Sequence, residues 1–513
     1  MVPPEPRLPQ ARGLIQNGLY FVVHAPRQTG KTTTLQALAR DLTAAGRYAA
    51  VLFSCERAKV AVDDYGAAGR EVLDAIRAAA EDQLPEECWP PPWPVAQPGG
   101  LLHVGLTRWA RTCPRPLALF ADEIDALRGQ SLISVLSQLR DGYRTRPESF
   151  PAAVVLCGLR DVRDYRAAAG SRPWPEEVAV RMGTSSPFNV KVESLRLPDF
   201  TAGQVADLYG QHTAETGQEF TPEAVDLTVE YTCGQPWLVN ALAREITDKM
   251  RITPPTVVTA DHVAVAKERL ILARATHLDS LAARLAEPRV RRIMEPLIAG
   301  LLPDLDTTYN DDAAYVRDLG LIALGDPVRV ANPIYREVIV RVLGAGVESV
   351  VTAEPRAFVL ADGRLDFRRV LDEFAAFWAE HSDVLTRGQV YHEAAPQLVF
   401  MAFLQRIVNG GGQVEREYGV GRGRIDVLVR KPYRDRQVQR EAVELKVWRP
   451  RQADPLEIGL KQLDGYLTRL GLDHGTLVIF DRRQPRSDED EPIRPEMTDV
   501  TSPEGRAVTL LRA

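Results

Sequence analysis

Cysteine is scarce and badly placed for covalent or zinc chemistry. The five residues, Cys55, Cys88, Cys113, Cys157 and Cys233, are odd in number and include no Cys-x-x-Cys pair. That excludes a disulfide framework and argues against a zinc site. Cys55 and Cys157 instead sit inside apolar runs and are expected to be small buried hydrophobes. No apolar run approaches the ~18 residues that a membrane helix requires. The opening MVPPEPRLPQARG lacks the apolar centre of a secretion signal, so a cytoplasmic protein without membrane partners is expected. Strong positive charge is also missing. The net charge is −6, so contact with nucleic acid must come from local patches. Lysine is rarer still, with 8 among the 63 basic residues, which makes Lys31 and Lys446 more informative than usual. No internal repeat is visible.

What is present is the composition of an ordinary globular protein, with 45% hydrophobic and 26% charged residues. At 513 residues the chain is too long for one core, and about three domains are expected. Over residues 1–200, five short apolar runs alternate with helical segments: GLYFVVHA (18–25), YAAVLFSCE (48–56), PLALFADE (116–123), AAVVLCGL (152–159) and NVKVESLRL (189–197). Buried parallel strands have this pattern, which predicts an α/β doubly wound sheet with helices on both faces. CWPPPWPVAQPGG (88–100) reads as a surface insertion. Residues 201–285 read as helical, with Thr residues at plausible N-caps and a stop at Gly234. Residues 286–345 have the order helix, strand, GDP turn, strand, helix. That is the layout of a winged helix, or equally of a segment that only packs on its neighbours. Residues 346–389 read as a helical connector, 390–483 as mixed α and β, and 484–513, with its acidic SDEDE, as a tail.

HAPRQTGKTTTL (24–35) follows the first strand and opens a helix. A phosphate-binding loop needs small residues so that backbone N–H groups can wrap phosphates, a lysine to reach them, and a hydroxyl for Mg²⁺. Gly30, Lys31 and Thr32 meet these needs, with Ala25, Pro26 and Thr33 completing the expected nucleotide contacts. Ala25 stands where the pattern has its first glycine. LALFADEIDAL (117–127) ends an apolar strand in two acids: Asp122 to hold Mg²⁺ and Glu123 to polarise the attacking water. Both segments end predicted parallel strands, where ligands bind in open α/β sheets. Together they resemble the Walker A and Walker B motifs of AAA-type ATPases, which implies ATP and Mg²⁺ as ligands and hydrolase chemistry. GQPWLVNALARE (234–245) is similar to the Gly-x-Pro element in the helical lid of the STAND and archaeal ATPase branch. The resemblance also implies a γ-phosphate sensor, for which Arg160 or Arg163 is a candidate, each otherwise a solvated helix start. Arg181 is a candidate for an arginine acting across the interface of a homo-oligomer.

The C-terminal region reads α-β-β-β-α-β. A helix over 390–408 has Glu393 near its start. A hairpin over 410–432 turns at Gly421-Arg422-Gly423 and carries Asp426 in its second strand. EAVELKVW is the third strand, 455–471 a helix, and GTLVIFDRR the last strand. A strand repeats every two residues, so Glu444 and Lys446 share a face, and Asp426 can stand beside Glu444. Two carboxylates with a carbonyl make an oxygen-rich site for Mg²⁺ or Mn²⁺, and Lys446 can steady developing negative charge. This order resembles the PD-(D/E)XK nuclease superfamily, which implies a restriction-endonuclease-like fold, Glu393 as a further metal ligand and an accessory Gln462/Tyr466 pair. Gly-Arg-Ile rather than proline precedes Asp426, and Gln462 and Tyr466 can also be plain i, i+4 neighbours. Over 391–482 there are 15 basic against 12 acidic residues, a local excess that fits a phosphate backbone. RKPYRDRQVQR (430–440) reads as a loop between the two acidic strands.

The whole chain resembles bacterial fusions of an AAA-like ATPase with a PD-(D/E)XK domain. That resemblance implies an ATP-dependent nuclease acting on DNA in defence or mobile-element control. A STAND-like signalling or scaffolding ATPase, whose nuclease-like domain only binds nucleic acid or a partner, is the alternative. A transposition-associated DNA-binding ATPase is a third reading.

Overall fold

The structure is a computed structural model. It describes residues 3, 6–159, 193–298, 310–325, 328–348, 355–387, 395–408, 412–420, 423–434, 437–449, 451–481, 483 and 494–513. The chain divides into two compact units, each with its own sheet.

The first unit is built on the five expected apolar runs: β1 (Tyr20–His24), β2 (Ala49–Ser54), β3 (Leu117–Asp122), β4 (Ala153–Gly158) and β5 (Glu193–Arg196). They form one sheet in the order β2-β3-β4-β1-β5, with every pair parallel. Alternation along each strand divides the apolar side chains between two faces. Tyr20, Val22, Val51, Phe53 and Leu119 pack with α3 (Tyr65–Gln83), α4 (Leu101–Thr112) and α5 (Gly129–Gly142). Phe21, Val23, Leu52 and Phe120 pack with α1 (Ala11–Gln16) and α2 (Lys31–Ala44). Cys55 and Cys157 are buried in these layers, as their apolar surroundings predict.

The helical stretch that follows is held by local capping. α6 (Ala202–Thr216) starts with a reciprocal capping box between Thr201 and Gln204. α7 (Pro222–Thr232) and α8 (Pro236–Arg244) each carry proline at N1 behind a capping Thr221 or Gln235. α8 passes through a π turn, Glu245–Lys249, before α9 (Ala260–Leu272) and α10 (Thr276–Arg284).

The 88–100 segment is not a free insertion. Cys88 is fully buried, the Trp109 indole donates to the Cys88 carbonyl at 2.9 Å, and Arg77 lies 4.8 Å over the Trp93 ring while donating to the carbonyls of Pro90 and Pro91. Prolines keep this strap extended, and its aromatic rings give it an apolar underside.

The expected winged-helix segment contains α11 (Pro288–Ile298), α12 (Asp311–Asp318) and α13 (Pro333–Glu348). No named strand lies between α12 and α13 among the described residues, and the segment is split between the two units.

The second unit holds a six-stranded mixed sheet in the order β10-β11-β9-β8-β7-β6. Its strands are β6 (Gln413–Val420), β7 (Gly423–Tyr433), β8 (Gln437–Trp448), β9 (His474–Asp481), β10 (Glu496–Thr501) and β11 (Ala507–Arg512). α14 (Phe367–Arg387) and α15 (Ala395–Val408) pack Phe374, Trp378, Phe400 and Phe403 into an aromatic cluster around Phe480 on one face. α16 (Leu456–Leu470) covers the other face with Leu460, Leu463 and Leu467 against Leu428, Leu477 and Ile479.

Three sequence expectations change here. Residues 430–433 and 437–440 are strand rather than loop: β7 and β8 pair antiparallel from Val427↔Val443 to Tyr433↔Gln437. Residues 496–512 are not tail, because β10 and β11 form a hairpin and β11 pairs parallel with β9. α14, expected in the connector, is part of this unit's core through Phe374 and Trp378.

Candidate functional site

The mouth of the parallel sheet is assembled from the ends of β1, β2 and β3. β1 runs into Ala25, and the chain turns through Gln28 (φ 60°) and Gly30 (φ 83°) before α2 begins at Lys31. Only glycine adopts such a φ freely, and at Gly30 an added Cβ would also lie 3.1 Å from the Arg7 guanidinium. Ala25 is 1% exposed and packs into the apolar layer on the α2 side, so its methyl group is accommodated where the motif has glycine. Lys31 Nζ donates to the carbonyls of Ala25 and Pro26, both at 2.8 Å. Burial lowers the pKa of this ammonium, with Cys157, Asp122 and Asp125 opposing that shift. Thr33 is exposed on the first turn of α2.

Thr32 Oγ1 donates to Asp122 Oδ2 at 2.6 Å. Asp122 is buried, and its Oδ1 accepts the N–H of Glu123 at 2.9 Å. A hydroxyl and a carboxylate this close, at the head of a helix, are an oxygen pair suited to Mg²⁺. Glu123 adopts φ 55° as the chain leaves β3, and its Oε2 accepts from Ser54 Oγ at 2.6 Å. Ser54 stands beside Asp122 in the β2–β3 register. The sequence reading brings Lys31, Thr32, Asp122 and Glu123 together as the structure does, but misses Ser54, which looks like any strand-end serine.

It also misses the support beneath the loop. Arg7 Nη2 donates to the carbonyls of Thr29 (2.8 Å) and Pro198 (2.7 Å), Nη1 donates to Thr34 Oγ1 (3.2 Å), and the guanidinium lies 4.9 Å over Phe200. Burial lowers its pKa to about 10, opposed by Asp199. Gly234 (φ 77°) is pressed against the Phe200 carbonyl, and its own carbonyl accepts the Phe200 N–H at 2.8 Å. A Cβ there would collide with Phe200, which explains glycine in the Gly-Gln-Pro element. Gln235 caps α8 through Leu238 N (2.7 Å) and approaches the Gln28 carbonyl at 3.5 Å. Gly320 (φ 78°), just past α12, lies against Pro26 of the loop. Arg160, Arg163 and Arg181 fall outside the described residues.

In the second unit, β8 places Glu444 and Lys446 on the face that α16 covers. Lys446 Nζ donates to Glu444 Oε1 at 2.6 Å. Continuing the β7–β8 register by one step from Val427↔Val443 sets Asp426 opposite Glu444, and Asp426 Oδ2 accepts the Leu445 N–H at 2.8 Å. Glu444 is 3% exposed, and its Oε2 is buried without a hydrogen-bond partner. Burial, together with the charge of Asp426 and against the pull of Lys446, raises the Glu444 carboxyl to about 7. An orphaned carboxylate oxygen facing a second carboxylate is a donor set that a hard divalent cation satisfies.

Glu393 lies outside the described residues. Gln462 is exposed, whereas Tyr466 is half-buried against the apolar cluster of α16. No group of three or more His, Cys, Asp or Glu is arranged to hold a metal among the described residues. The unexpected polar residue on α16 is Asp464, which is buried and accepts from Ser502 Oγ (2.6 Å), Glu504 N (2.9 Å) and Arg506 Nη1 (3.0 Å).

No protein-family model matches the chain, and no curated protein matches it. Among solved structures, the chain is similar to a Walker-type ATPase of Pyrococcus abyssi at 14% identity and a TM-score of 0.46, covering 66% of this chain and 96% of that one. It is similar to the ORC2 protein of Aeropyrum pernix at 14% identity and a TM-score of 0.38, covering 67% and 92%. It is also similar to the RuvB Holliday junction branch migration motor of Thermotoga maritima at 14% identity and a TM-score of 0.35, covering 66% and 93%. Among the described residues no helix is long and apolar enough to cross a membrane.

Proposed function

We propose that the chain is an AAA-like ATPase that carries a metal-dependent nuclease centre in its second unit and acts on DNA. The observation that carries the ATPase reading is the 2.6 Å contact between Thr32 and Asp122 at the head of a helix opened by Gly30-Lys31. ATP phosphates bind over the N–H groups of the Gln28–Lys31 turn, where the dipole of α2 favours anions. Lys31 exchanges the Ala25 and Pro26 carbonyls for phosphate oxygens. Thr32 and Asp122 would hold Mg²⁺, which would supply charge neutralisation at the phosphates. Glu123 accepts the proton of the attacking water once its carboxylate leaves Ser54. The helical segment over 201–285 serves as the lid, with Gln235 reaching the Gln28 carbonyl of the loop.

The nuclease reading is carried by the Asp426, Glu444 and Lys446 cluster. Asp426 and Glu444 would hold Mg²⁺ or Mn²⁺, which would supply an activated water and neutralise charge on the phosphodiester. Lys446 turns from Glu444 toward the scissile phosphate and stabilises the charge that develops there. The residues at 286–345, expected as a winged helix, serve to couple or dock the two activities.

ATP turnover by wild type, Lys31→Ala and Glu123→Gln tests the first half. Lys31→Ala is expected to lose nucleotide binding and hydrolysis together, and Glu123→Gln to bind ATP but turn it over at least ~100-fold more slowly. Hydrolysis by Lys31→Ala at the wild-type rate refutes the loop assignment. Mn²⁺-dependent nicking of plasmid DNA by wild type, and its loss in Asp426→Ala and Lys446→Ala, tests the second half. Equal nicking by wild type and Asp426→Ala refutes it.

A further inference from the structure

β8 does not end with the cleavage cluster. Glu444, Lys446 and Trp448 occupy every second position of the strand, so all three face the same side of the sheet. Trp448 is paired in register with Asp481 of β9. Arg483, just beyond that strand, stacks its guanidinium 3.6 Å from the centre of the Trp448 ring and donates to Asp481 at 2.6 Å. From β11, Arg512 lies 5.5 Å from the same ring and pairs with Asp454 at 2.7 Å. The loop after β8 adds Arg449 and Arg451. Arg483 and Arg512 are the cations at the indole itself, each paired with an acid, while Arg449 and Arg451 follow it in the chain and Glu496 stands opposite Arg512.

The ring itself is held but not hidden. Its Nε1 donates to the Gln452 carbonyl at 3.1 Å, one edge packs on the apolar cluster under α16, and the residue remains half-exposed. A fixed aromatic plane with guanidinium groups over and beside it matches the requirement for binding a nucleic-acid strand whose bases are unpaired. The base stacks on indole or guanidinium, and the phosphates meet arginine. A base inside a duplex has both faces covered by its neighbours and gains nothing from such a surface.

We propose that Trp448, with Arg449, Arg451, Arg483 and Arg512, is a platform for single-stranded nucleic acid beside the cleavage centre. The substrate class is then DNA with an unpaired stretch (a single strand, an overhang or a flap) rather than blunt duplex. At ~3.3 Å per strand residue, Trp448 lies about 7 Å beyond Lys446 and about 13 Å beyond Glu444 along β8. As a statement of substrate class this rests on the nuclease reading above, but binding to the platform does not require cleavage.

The test uses the full chain in the Asp426→Ala background and reads the anisotropy of a fluorescein-labelled oligo(dT) over a salt series. Adding Trp448→Ala is expected to weaken binding roughly tenfold or more, with Trp448→Phe restoring most of it. Adding Arg449→Ser with Arg451→Ser, in a loop that leaves the sheet intact, is expected to flatten the slope of log affinity against log salt by about 1.4. Blunt duplex is expected to compete poorly. Unchanged binding in both the Trp448→Ala and the double arginine variants, or equal competition by blunt duplex, overturns the platform. Because binding is read without cutting, a wild-type chain that fails to cleave DNA overturns the nuclease reading and leaves the platform result standing.

Discussion

Arg7 connects parts of the chain that are far apart in sequence. Its bonds reach 22 residues to Thr29 and 191 residues to Pro198, tying the phosphate loop to the strand exit that leads into the helical segment. Arg7→Ala leaves those buried carbonyls without a donor, and a loss of about 2–4 kcal/mol in urea unfolding is expected. Arg7→Lys is expected to recover only part of it, because an ammonium cannot fork between two carbonyls while lying over Phe200. Ser54 makes a prediction about rate instead. It holds Glu123 by a 2.6 Å hydrogen bond, so Ser54→Ala frees the base and is expected to raise ATP turnover several-fold, on the order of 1 kcal/mol of barrier. A fall in turnover with unchanged nucleotide affinity would mean that Ser54 positions Glu123 rather than restrains it. Asp122 and Glu123 can be read from the sequence because a run of buried apolar residues breaks into two acids at a strand end. Arg7 and Ser54 cannot, since nothing local distinguishes them from a surface arginine and a strand-end serine. Their roles exist only in tertiary contacts.

At the scale of elements, Asp464 fastens the terminal hairpin to α16. Burial pushes its carboxyl up, but the Ser502 hydroxyl, the Glu504 N–H and the Arg506 guanidinium together hold it below the ordinary 3.8. A carboxyl lowered in the folded state contributes stability above its unfolded pKa and loses it as pH falls through the folded value. The β10–β11 hairpin is therefore expected to loosen below about pH 4, seen as faster amide exchange over 496–512. Asp464→Asn is expected to cost about 2 kcal/mol at pH 7 and to remove that acid step. Four of the five parallel strands of the first unit, β1 to β4, were legible because burial on both faces leaves near-continuous apolar runs, whereas β5 at the sheet edge buries only Leu195. The β10–β11 hairpin was not: MTDVT alternates weakly, and the acidic SDEDE before it reads as solvated chain. The 430–440 segment misled for a related reason. Its arginines suggest a loop, yet Lys431 and Glu441 are buried within β7 and β8, and a charged residue on an antiparallel strand carries no loop signal by itself. The order α-β-β-β-α-β was visible because each strand keeps its period of two through the acids it carries.

At the scale of the whole molecule, the two units carry two distinct polar clusters, one around Lys31 and Asp122 and one around Asp426 and Glu444. The metal proposed for the second is expected to act on stability without any cleavage. Glu444 is held with an orphaned oxygen beside Asp426, so Mn²⁺ binding to the folded state is expected to raise the thermal midpoint of unfolding. Asp426→Ala is expected to abolish that response while leaving any shift caused by ATP and Mg²⁺ through Thr32 and Asp122. The central claim is that the second cluster cuts DNA under the control of the first. It is tested most directly by the rate of Mn²⁺-dependent cleavage of flap-bearing DNA, with and without ATP, in wild type, Lys31→Ala and Lys446→Ala. The account predicts that ATP changes the wild-type rate, that Lys31→Ala cleaves without responding to ATP, and that Lys446→Ala does not cleave. Cleavage by Lys446→Ala at the wild-type rate would contradict it.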